Sequence, residues 1–268
     1  MTETLSLRAK IEQSPMGAYQ WMIVVMAAIM NLLDGFDVLA LAFTATAIRG
    51  EFGLTGIELG YLLSAGLFGM TAGSLFLAPL ADKIGRRPLL LMAVSLSAIG
   101  MLGSAFISQY QWLGFWRVIT GLGVGGILVG TNVITSEYSS RKWRSFAISV
   151  YAAGFGIGAV LGGMFAVMLQ GEYGWRSVFL AGAILTGLLL VVLFIWLPES
   201  IDFLTSKQPK NAEVRLNLIA KKISLAGDWK LPEKAEKVKT KLPISQLFSE
   251  KYLHSTLLIW TAFFAIMF

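Results

Sequence analysis

The sequence predicts an all-α membrane protein that crosses the bilayer several times. Of its 268 residues, 56% are hydrophobic and only 14% are charged, whereas globular proteins average about 25% charged residues. The mean hydropathy of +0.68 points the same way. The third observation is that apolar runs of about 20 residues, the length needed to cross a bilayer core, recur along the chain.

Six complete spans and the beginning of a seventh are predicted from length and apolarity. The seventh begins near Leu253 and has only about 16 residues before the sequence stops, so we expect a longer parent chain. The predicted organisation is a tail over 1–18, a six-helix bundle over 19–200, a loop over 201–252 and a truncated helix over 253–268. The spans are Tyr19–Ile48, Leu59–Ala81, Pro88–Ile107, Trp112–Ser136, Ser145–Leu169 and Arg176–Leu197.

The distribution of basic residues predicts the orientation. Of the 22 Lys and Arg residues, all but Arg49, Arg117 and Arg176 fall in segments on one side of the predicted spans. By the positive-inside rule, the N-terminal tail and the long loop are cytoplasmic. This asymmetry explains the basic pI without a nucleic-acid partner. Within the loop, Asn211–Leu225 has apolar residues at helical spacing and is expected to lie along the membrane surface.

The composition excludes several kinds of site. There is no cysteine and a single histidine, His254, so we predict neither a thiolate nor a multi-histidine metal site. We find no nucleophile–base constellation, and we predict no enzyme activity and no cofactor. Gly121 to Gly126 fit G-x-G-x-x-G, but they lie inside an apolar span and not in the βαβ unit that dinucleotide binding requires.

Two acidic residues lie inside the first span. Asp34 and Asp37 are three positions apart and therefore share a helix face. A carboxylate at mid-membrane costs about 2.5–3.5 kcal/mol on insertion scales, and such residues persist mainly where they face a cavity or a partner. Arg117 lies inside the fourth span in the same way. We expect these three residues to be functional; structural hydrogen bonds or a salt bridge are the competing interpretation.

A charged turn between spans 2 and 3 reads Ala78-Pro-Leu-Ala-Asp82-Lys-Ile-Gly85-Arg-Arg87. This stretch resembles the signature loop of the major facilitator superfamily. The turn centres on Gly85, which is free to adopt positive φ, and Ala78 stands where the family's first glycine usually lies. Its charged residues are Asp82, Lys83, Arg86 and Arg87. Two further stretches resemble family motifs in the right order. They are Arg117, Gly121, Gly125, Glu137 and Arg144 in and after span 4, and Pro198-Glu199-Ser200 with Phe203-Leu204 after span 6.

This resemblance implies the major facilitator fold. In it, two six-helix bundles surround a central cavity and work by alternating access, and the N-terminal bundle consists of two inverted three-helix repeats. Span 1 then corresponds to span 4, which relates the aspartates to Arg117. The charged turn, with Glu137 and Arg144, would form a cytoplasmic gate whose charge pairs break and re-form. A static Glu137–Arg144 ion pair is the alternative.

Two local features narrow the resemblance. Asp34-Gly-Phe-Asp37 resembles an element of the aromatic acid:proton symporters, which carry benzoate, 4-hydroxybenzoate or muconate. Span 5 resembles the antiporter motif but has Ala159 in place of its proline, which disfavours a drug exchanger. Close helix packing is expected at glycines with small-xxx-small spacing or in span 4. These glycines are Gly121, Gly125, Gly154, Gly158 and Gly162.

The resemblance implies proton-coupled uptake of an organic anion across a bacterial inner membrane. Asp34 or Asp37 would carry the proton, which is the coupling ion, and Arg117 would hold a substrate carboxylate or a deprotonated aspartate. The full-length protein is expected to act as a monomer in the lipid bilayer. A sugar or polyol carrier of the same superfamily is one alternative. A membrane receptor or assembly protein without transport activity is the other.

Overall fold

The computed structural model describes residues 7–225, 227, 229–231 and 248–267, and every regular element in this part of the chain is an α-helix. The chain divides into two compact units, Met1–Leu231 and Pro232–Phe268. The helices are α1 (Leu7–Gln13), α2 (Ala18–Phe52), α3 (Gly56–Ile84), α4 (Arg86–Ala105), α5 (Tyr110–Tyr138), α6 (Arg144–Tyr173), α7 (Arg176–Trp196), α8 (Ile201–Lys207), α9 (Ala212–Lys222) and α10 (Glu250–Met267).

Six of these helices, α2 to α7, are long and apolar enough to cross a membrane. Their bounds lie within a few residues of the predicted spans, and α2, α3 and α6 extend furthest beyond them. The ends of the helices carry the expected signals. Thr55 and Glu58 form a capping box at the start of α3. Gly53, Gly85 and Gly174 adopt positive φ in the turns after α2, α3 and α6, a conformation that glycine takes at little cost.

The packing of the bundle pairs helices in the manner of an inverted repeat. The most extensive contacts join α3 to α5 and α2 to α6, followed by α4 against α5 and α7. If α2–α3–α4 is the first repeat and α5–α6–α7 the second, the α3–α5 and α2–α6 pairs are equivalent. The second helix of each repeat, α3 or α6, thus packs against the first helix of the other repeat, α5 or α2.

Glycines allow both of these crossings to be close. The structure places the five glycines singled out from the sequence where α5 meets α3 and where α6 meets α2. A Cβ on Gly121, Gly125, Gly154 or Gly158 would overlap a main-chain carbonyl of the facing helix, and one on Gly162 would overlap the Phe36 ring. Gly123 faces α4 instead, and Gly126 lies against both Leu77 of α3 and Ala93 of α4. The G-x-G-x-x-G pattern is therefore a set of helix contacts on two faces of α5.

The short helices gather at one end of the bundle, which we call the basic end. This end holds the beginnings of α2, α4 and α6 and the ends of α3, α5 and α7, joined by hydrogen bonds such as Gln20 Nε2 to the Tyr138 carbonyl, 2.7 Å. Apolar residues of α1, α8 and α9 share one buried cluster with the bundle. In α9, Leu216 and Ile219 are buried in that cluster, whereas Val214 and Leu218 are exposed.

Candidate functional site

Both aspartates of α2 are buried inside the bundle. Asp34 is 2% exposed and Asp37 is 1% exposed. Gly35 between them lies against α6, because a Cβ at that position would overlap the Phe155 carbonyl. Burying a carboxylate is costly unless it gains hydrogen bonds or a charged partner. The contacts of each carboxylate therefore indicate what it is prepared to bind.

The Asp37 side chain faces α4, and residue Arg117 of α5 lies close by. One oxygen, Oδ2, accepts a hydrogen bond from Ser97 Oγ at 2.6 Å. The other oxygen, Oδ1, has no partner among the described residues. The Arg117 Nη1 atom approaches the main-chain carbonyl oxygen of Asp37 at 3.4 Å, and no contact joins it to the carboxylate within salt-bridge distance. Asp37 and Arg117 are thus neighbours without forming a direct ion pair.

Arg117 is held by neutral groups. Its Nη2 atom donates to Ser104 Oγ at 2.9 Å and to Thr120 Oγ1 at 3.0 Å. The guanidinium also lies 4.8 Å from the centre of the Phe179 ring. Its Nε atom has no partner within the described chain. A buried guanidinium without a carboxylate partner leaves its charge, and one N–H, available to an anion.

Asp34 lies one helical turn before Asp37, in a separate polar cluster. Its Oδ2 atom has no partner among the residues described. Asn31, three positions earlier on the same face, donates to the Tyr151 carbonyl of α6 at 2.8 Å. The Tyr151 hydroxyl accepts a hydrogen bond from Thr131 of α5 at 3.3 Å. The two aspartates therefore face different surroundings, and only Asp37 is close to Arg117.

A cavity of about 160 Å³ adjoins Asp37 and Arg117. It lies between α2, α3 and α5, and its wall is otherwise almost entirely aliphatic. No tryptophan or phenylalanine of the described chain lines it. The side chains that supply its polarity are Asp37, Arg117 and Thr120. A cavity of about 150 Å³ with an apolar lining is large enough to hold benzene.

Four residues around the aspartates were not predicted from the sequence: Ser97, Ser104, Thr120 and Phe179. Ser97 and Ser104 lie seven positions apart on α4, so they fall on one helix face. That spacing of hydroxyls inside an apolar span was the available signal. Phe179 carried none, because it is one of seventeen phenylalanines.

The charged turn of the sequence analysis lies at the basic end. Asp82 and Arg86 form an ion pair of 2.8 Å, while Lys83 is exposed. The main-chain N–H groups of Arg86 and Arg87 donate to Glu199 Oε1 at 2.8 and 3.0 Å. Glu199, which follows the neighbouring helix α7, therefore caps the beginning of α4. Glu199 belongs to the Pro198-Glu199-Ser200 stretch of the sequence analysis, which predicted no role for it.

The structure does not pair Glu137 with Arg144. Glu137 accepts hydrogen bonds from Ser200 Oγ at 2.9 Å and from the Ile201 N–H at 2.8 Å, at the beginning of α8. Arg144 instead forms an ion pair of 2.6 Å with Glu12 of α1. Both residues lie at the basic end, as expected of a gate, but each has another partner.

The N-terminal helix α1 connects these charges. Arg8 pairs with Asp202 of α8, and the Glu12 main-chain carbonyl accepts a hydrogen bond from the Arg141 N–H at 3.0 Å. The hydrogen bond from Arg144 lowers the pKa of the Glu12 carboxyl below its usual value. The segment predicted as a tail therefore contains a helix, α1, that forms ion pairs with both α6 and α8.

A bundle of apolar helices that buries acidic residues and an arginine beside a cavity carries the features of a functional site inside a membrane. The chain belongs to the Major Facilitator Superfamily, whose sequence profile matches residues 27–268. It is accordingly an integral membrane protein.

Its relatives include carriers of aromatic acids. A gallate transporter of Pseudomonas putida is 34% identical over 95% of this chain and 57% of the relative. The 4-hydroxybenzoate transporter PcaK of Pseudomonas putida is 33% identical over 98% of this chain and 59% of the relative. The proton:xylose symporter XylE of E. coli superposes with a TM-score of 0.69 at 22% identity, over 79% of this chain and 50% of XylE, a likeness of fold alone. This chain thus spans under three-fifths of the length of these curated relatives.

Proposed function

We propose that this chain is the N-terminal bundle of a proton-coupled carrier that takes up an aromatic acid by alternating access. The observation that supports this most directly is the cluster of Asp37 and Arg117 beside an aliphatic cavity. Arg117 offers a cation without a carboxylate partner, and Asp37 offers an oxygen without a donor. An organic anion and a proton are the two ligands that complement these groups.

The cavity favours an aromatic ring as the apolar part of the substrate. Its volume of about 160 Å³ compares with the roughly 150 Å³ that accepts benzene. A guanidinium recognises a carboxylate through parallel N–H donors. A ring that bears one carboxylate therefore suits the cavity better than a polyol, which would need many more polar partners. The gallate and 4-hydroxybenzoate carriers among the relatives support this substrate class.

Asp34 and Asp37 are proposed to take up the coupling proton. Protonation removes the cost of a buried charge, so the loaded carrier can change its orientation more readily than the carrier with a charged aspartate. Asp37 is proposed to act with the substrate, because it is the aspartate near Arg117. Asp34, in the cluster with Asn31 and Tyr151, is proposed to act one helical turn away from the cavity.

The basic end is proposed to be the cytoplasmic gate. Asp82, Lys83, Gly85, Arg86 and Arg87 would act with Glu137 and Arg144 as a set of contacts that breaks when the carrier opens inward. We further propose that the N-terminal tail and the loop over 201–252 are cytoplasmic, in a bacterial inner membrane. The full-length carrier would act as a monomer, with its second bundle beginning near residue 253.

The test is uptake of labelled 4-hydroxybenzoate by the full-length protein in proteoliposomes with an imposed proton gradient. We expect saturable uptake that a protonophore abolishes and that Asp34→Asn and Asp37→Asn each reduce at least tenfold. Glu172→Gln is the matched control, because it removes an exposed acid of α6 outside the site. Saturable glucose uptake without acid uptake, or wild-type rates in both aspartate variants, would refute the proposal.

A further inference from the structure

A second cavity, of about 220 Å³, lies at the basic end between α9 and the ends of α2, α4 and α7. We call it the basic groove. Its charged and aromatic lining is Tyr19, Arg87, Trp196, Glu199, Arg215 and Lys222. Neither the proposed substrate site nor the proposed gate uses Arg215 or Lys222. The groove therefore needs an explanation of its own.

The groove carries an excess of positive charge. None of its three cations has a carboxylate within salt-bridge distance among the described residues. Arg87 donates through Nη2 to the Phe194 carbonyl at 2.6 Å, while its buried Nε has no partner in the described chain. The Lys222 Nζ atom lies 5.2 Å from the centre of the Tyr19 ring. These contacts hold Arg87 and Lys222 in place without neutralising them.

Glu199 also lines the groove, but its charge is engaged elsewhere. Its Oε1 atom accepts hydrogen bonds from the main-chain N–H groups of Arg86, Arg87 and Ser200 at 2.8 to 3.0 Å. It is only 7% exposed. The groove thus contains three cations, Arg87, Arg215 and Lys222, and one carboxylate that already accepts three hydrogen bonds. This excess of positive charge favours the binding of an anion.

The wall of the groove on α7 is apolar and exposed. Phe194, Ile195 and Trp196 are 65%, 64% and 50% exposed, at the last turn of a membrane-spanning helix. Tryptophan and tyrosine are enriched at the level of lipid headgroups, and Trp196 and Tyr19 mark that level here. The groove thus places cations at headgroup depth, next to a surface that suits acyl chains.

We propose that the basic groove binds an anionic glycerophospholipid. The phosphodiester lies against Arg87, Arg215 and Lys222, and an acyl chain follows the exposed face of α7. Basic pockets between transmembrane helices bind anionic headgroups in this way. A zwitterionic lipid brings an ammonium group, which the excess positive charge of the groove disfavours.

The experiment compares lipid binding to the full-length protein after delipidation in detergent, by native mass spectrometry with titrated phosphatidylglycerol or phosphatidylethanolamine of identical acyl chains. The test variant is Arg215→Gln/Lys222→Gln, because both residues are exposed on α9 and lie outside the substrate site. Lys210→Gln/Lys221→Gln is the control, with the same change in charge outside the groove. Thermal melting verifies that both variants are folded.

We expect wild-type protein to prefer phosphatidylglycerol and the test variant to bind it about 25-fold more weakly, at roughly fivefold for each basic residue. The control should retain wild-type affinity. Equal binding of the two lipids, or equal weakening in the control, would refute a defined site. Displacement of phosphatidylglycerol by inorganic phosphate at millimolar concentration would identify a soluble anion as the occupant and overturn the lipid assignment. Because the readout is lipid binding, the result is independent of the proposed substrate.

Discussion

The α2–α6 crossing makes a quantitative prediction about replacing Gly158 with alanine. A Cβ at this position would lie 2.6 Å from the Leu32 carbonyl carbon and 2.9 Å from the Leu32 Cα. The helices must move apart by at least about 0.9 Å to restore a carbon–carbon contact of about 3.5 Å, because the Leu32 carbonyl oxygen lies nearer still. Overpacking of this kind costs about 1–3 kcal/mol. Leu32 precedes Asp34 by two residues, so the movement also displaces the buried aspartates.

Gly156 on the same helix is the matched control. Nothing lies within 4 Å of a Cβ built there, so Gly156→Ala and Gly158→Ala share the gain in helix propensity and differ in the overlap alone. We expect Gly158→Ala in the full-length carrier to melt about 2–12 °C below Gly156→Ala, at roughly 2–4 °C per kcal/mol. Differential scanning fluorimetry in one detergent measures this difference. Equal melting temperatures would show that α2 and α6 are not in close contact at this point.

Three further predictions concern charged side chains. Arg117→Lys keeps the charge but loses the planar fork, so we expect the KM for 4-hydroxybenzoate uptake to rise at least tenfold; an unchanged KM would contradict the substrate role. Glu199→Gln keeps the shape but weakens the acceptor for the amides of α4, so unfolding should become easier by about 1 kcal/mol, seen as a lower Tm. The pKa of Glu12 is lowered, so its contact with Arg144 holds above the usual pKa and weakens as the pH falls through the lowered one. A spin label on an introduced cysteine in α1 should therefore become more mobile in acid, and Glu12→Gln should show that mobility at neutral pH.

Much of the bundle was predictable because the bilayer imposes simple rules. Span length and apolarity located α2 to α7, and Gly85, expected to be free to adopt positive φ, does so in the turn after α3. The charges inside spans identified Asp34, Asp37 and Arg117, since a buried charge is conspicuous in an apolar run. These signals are local and need no knowledge of the tertiary contacts.

Features that depend on tertiary contacts were not predictable. α1 and α8 have seven residues each, which is too few for a stable isolated helix. Both helices are stabilised by burial of their apolar residues against the bundle. The α9 helix was predicted, but Leu216 and Ile219 bury against the bundle instead of facing lipid. The separate partners of Glu137 and Arg144 likewise follow from the position of α1 and α8, which no sequence pattern revealed.

The cap that Glu199 provides for α4 has a consequence for biosynthesis. The acceptor for the main-chain amides of Arg86 and Arg87 is Glu199, which lies 113 and 112 residues further along the chain. At a translation rate of about 5–20 residues per second, that acceptor leaves the ribosome about 6–22 s after the turn it completes. The membrane-spanning helices α2, α3 and α4 are therefore made while the main-chain amides at the beginning of α4 have no acceptor. Glu199, which follows α7, supplies that acceptor later. A pause in translation between these points would prolong the exposure of this turn to proteases.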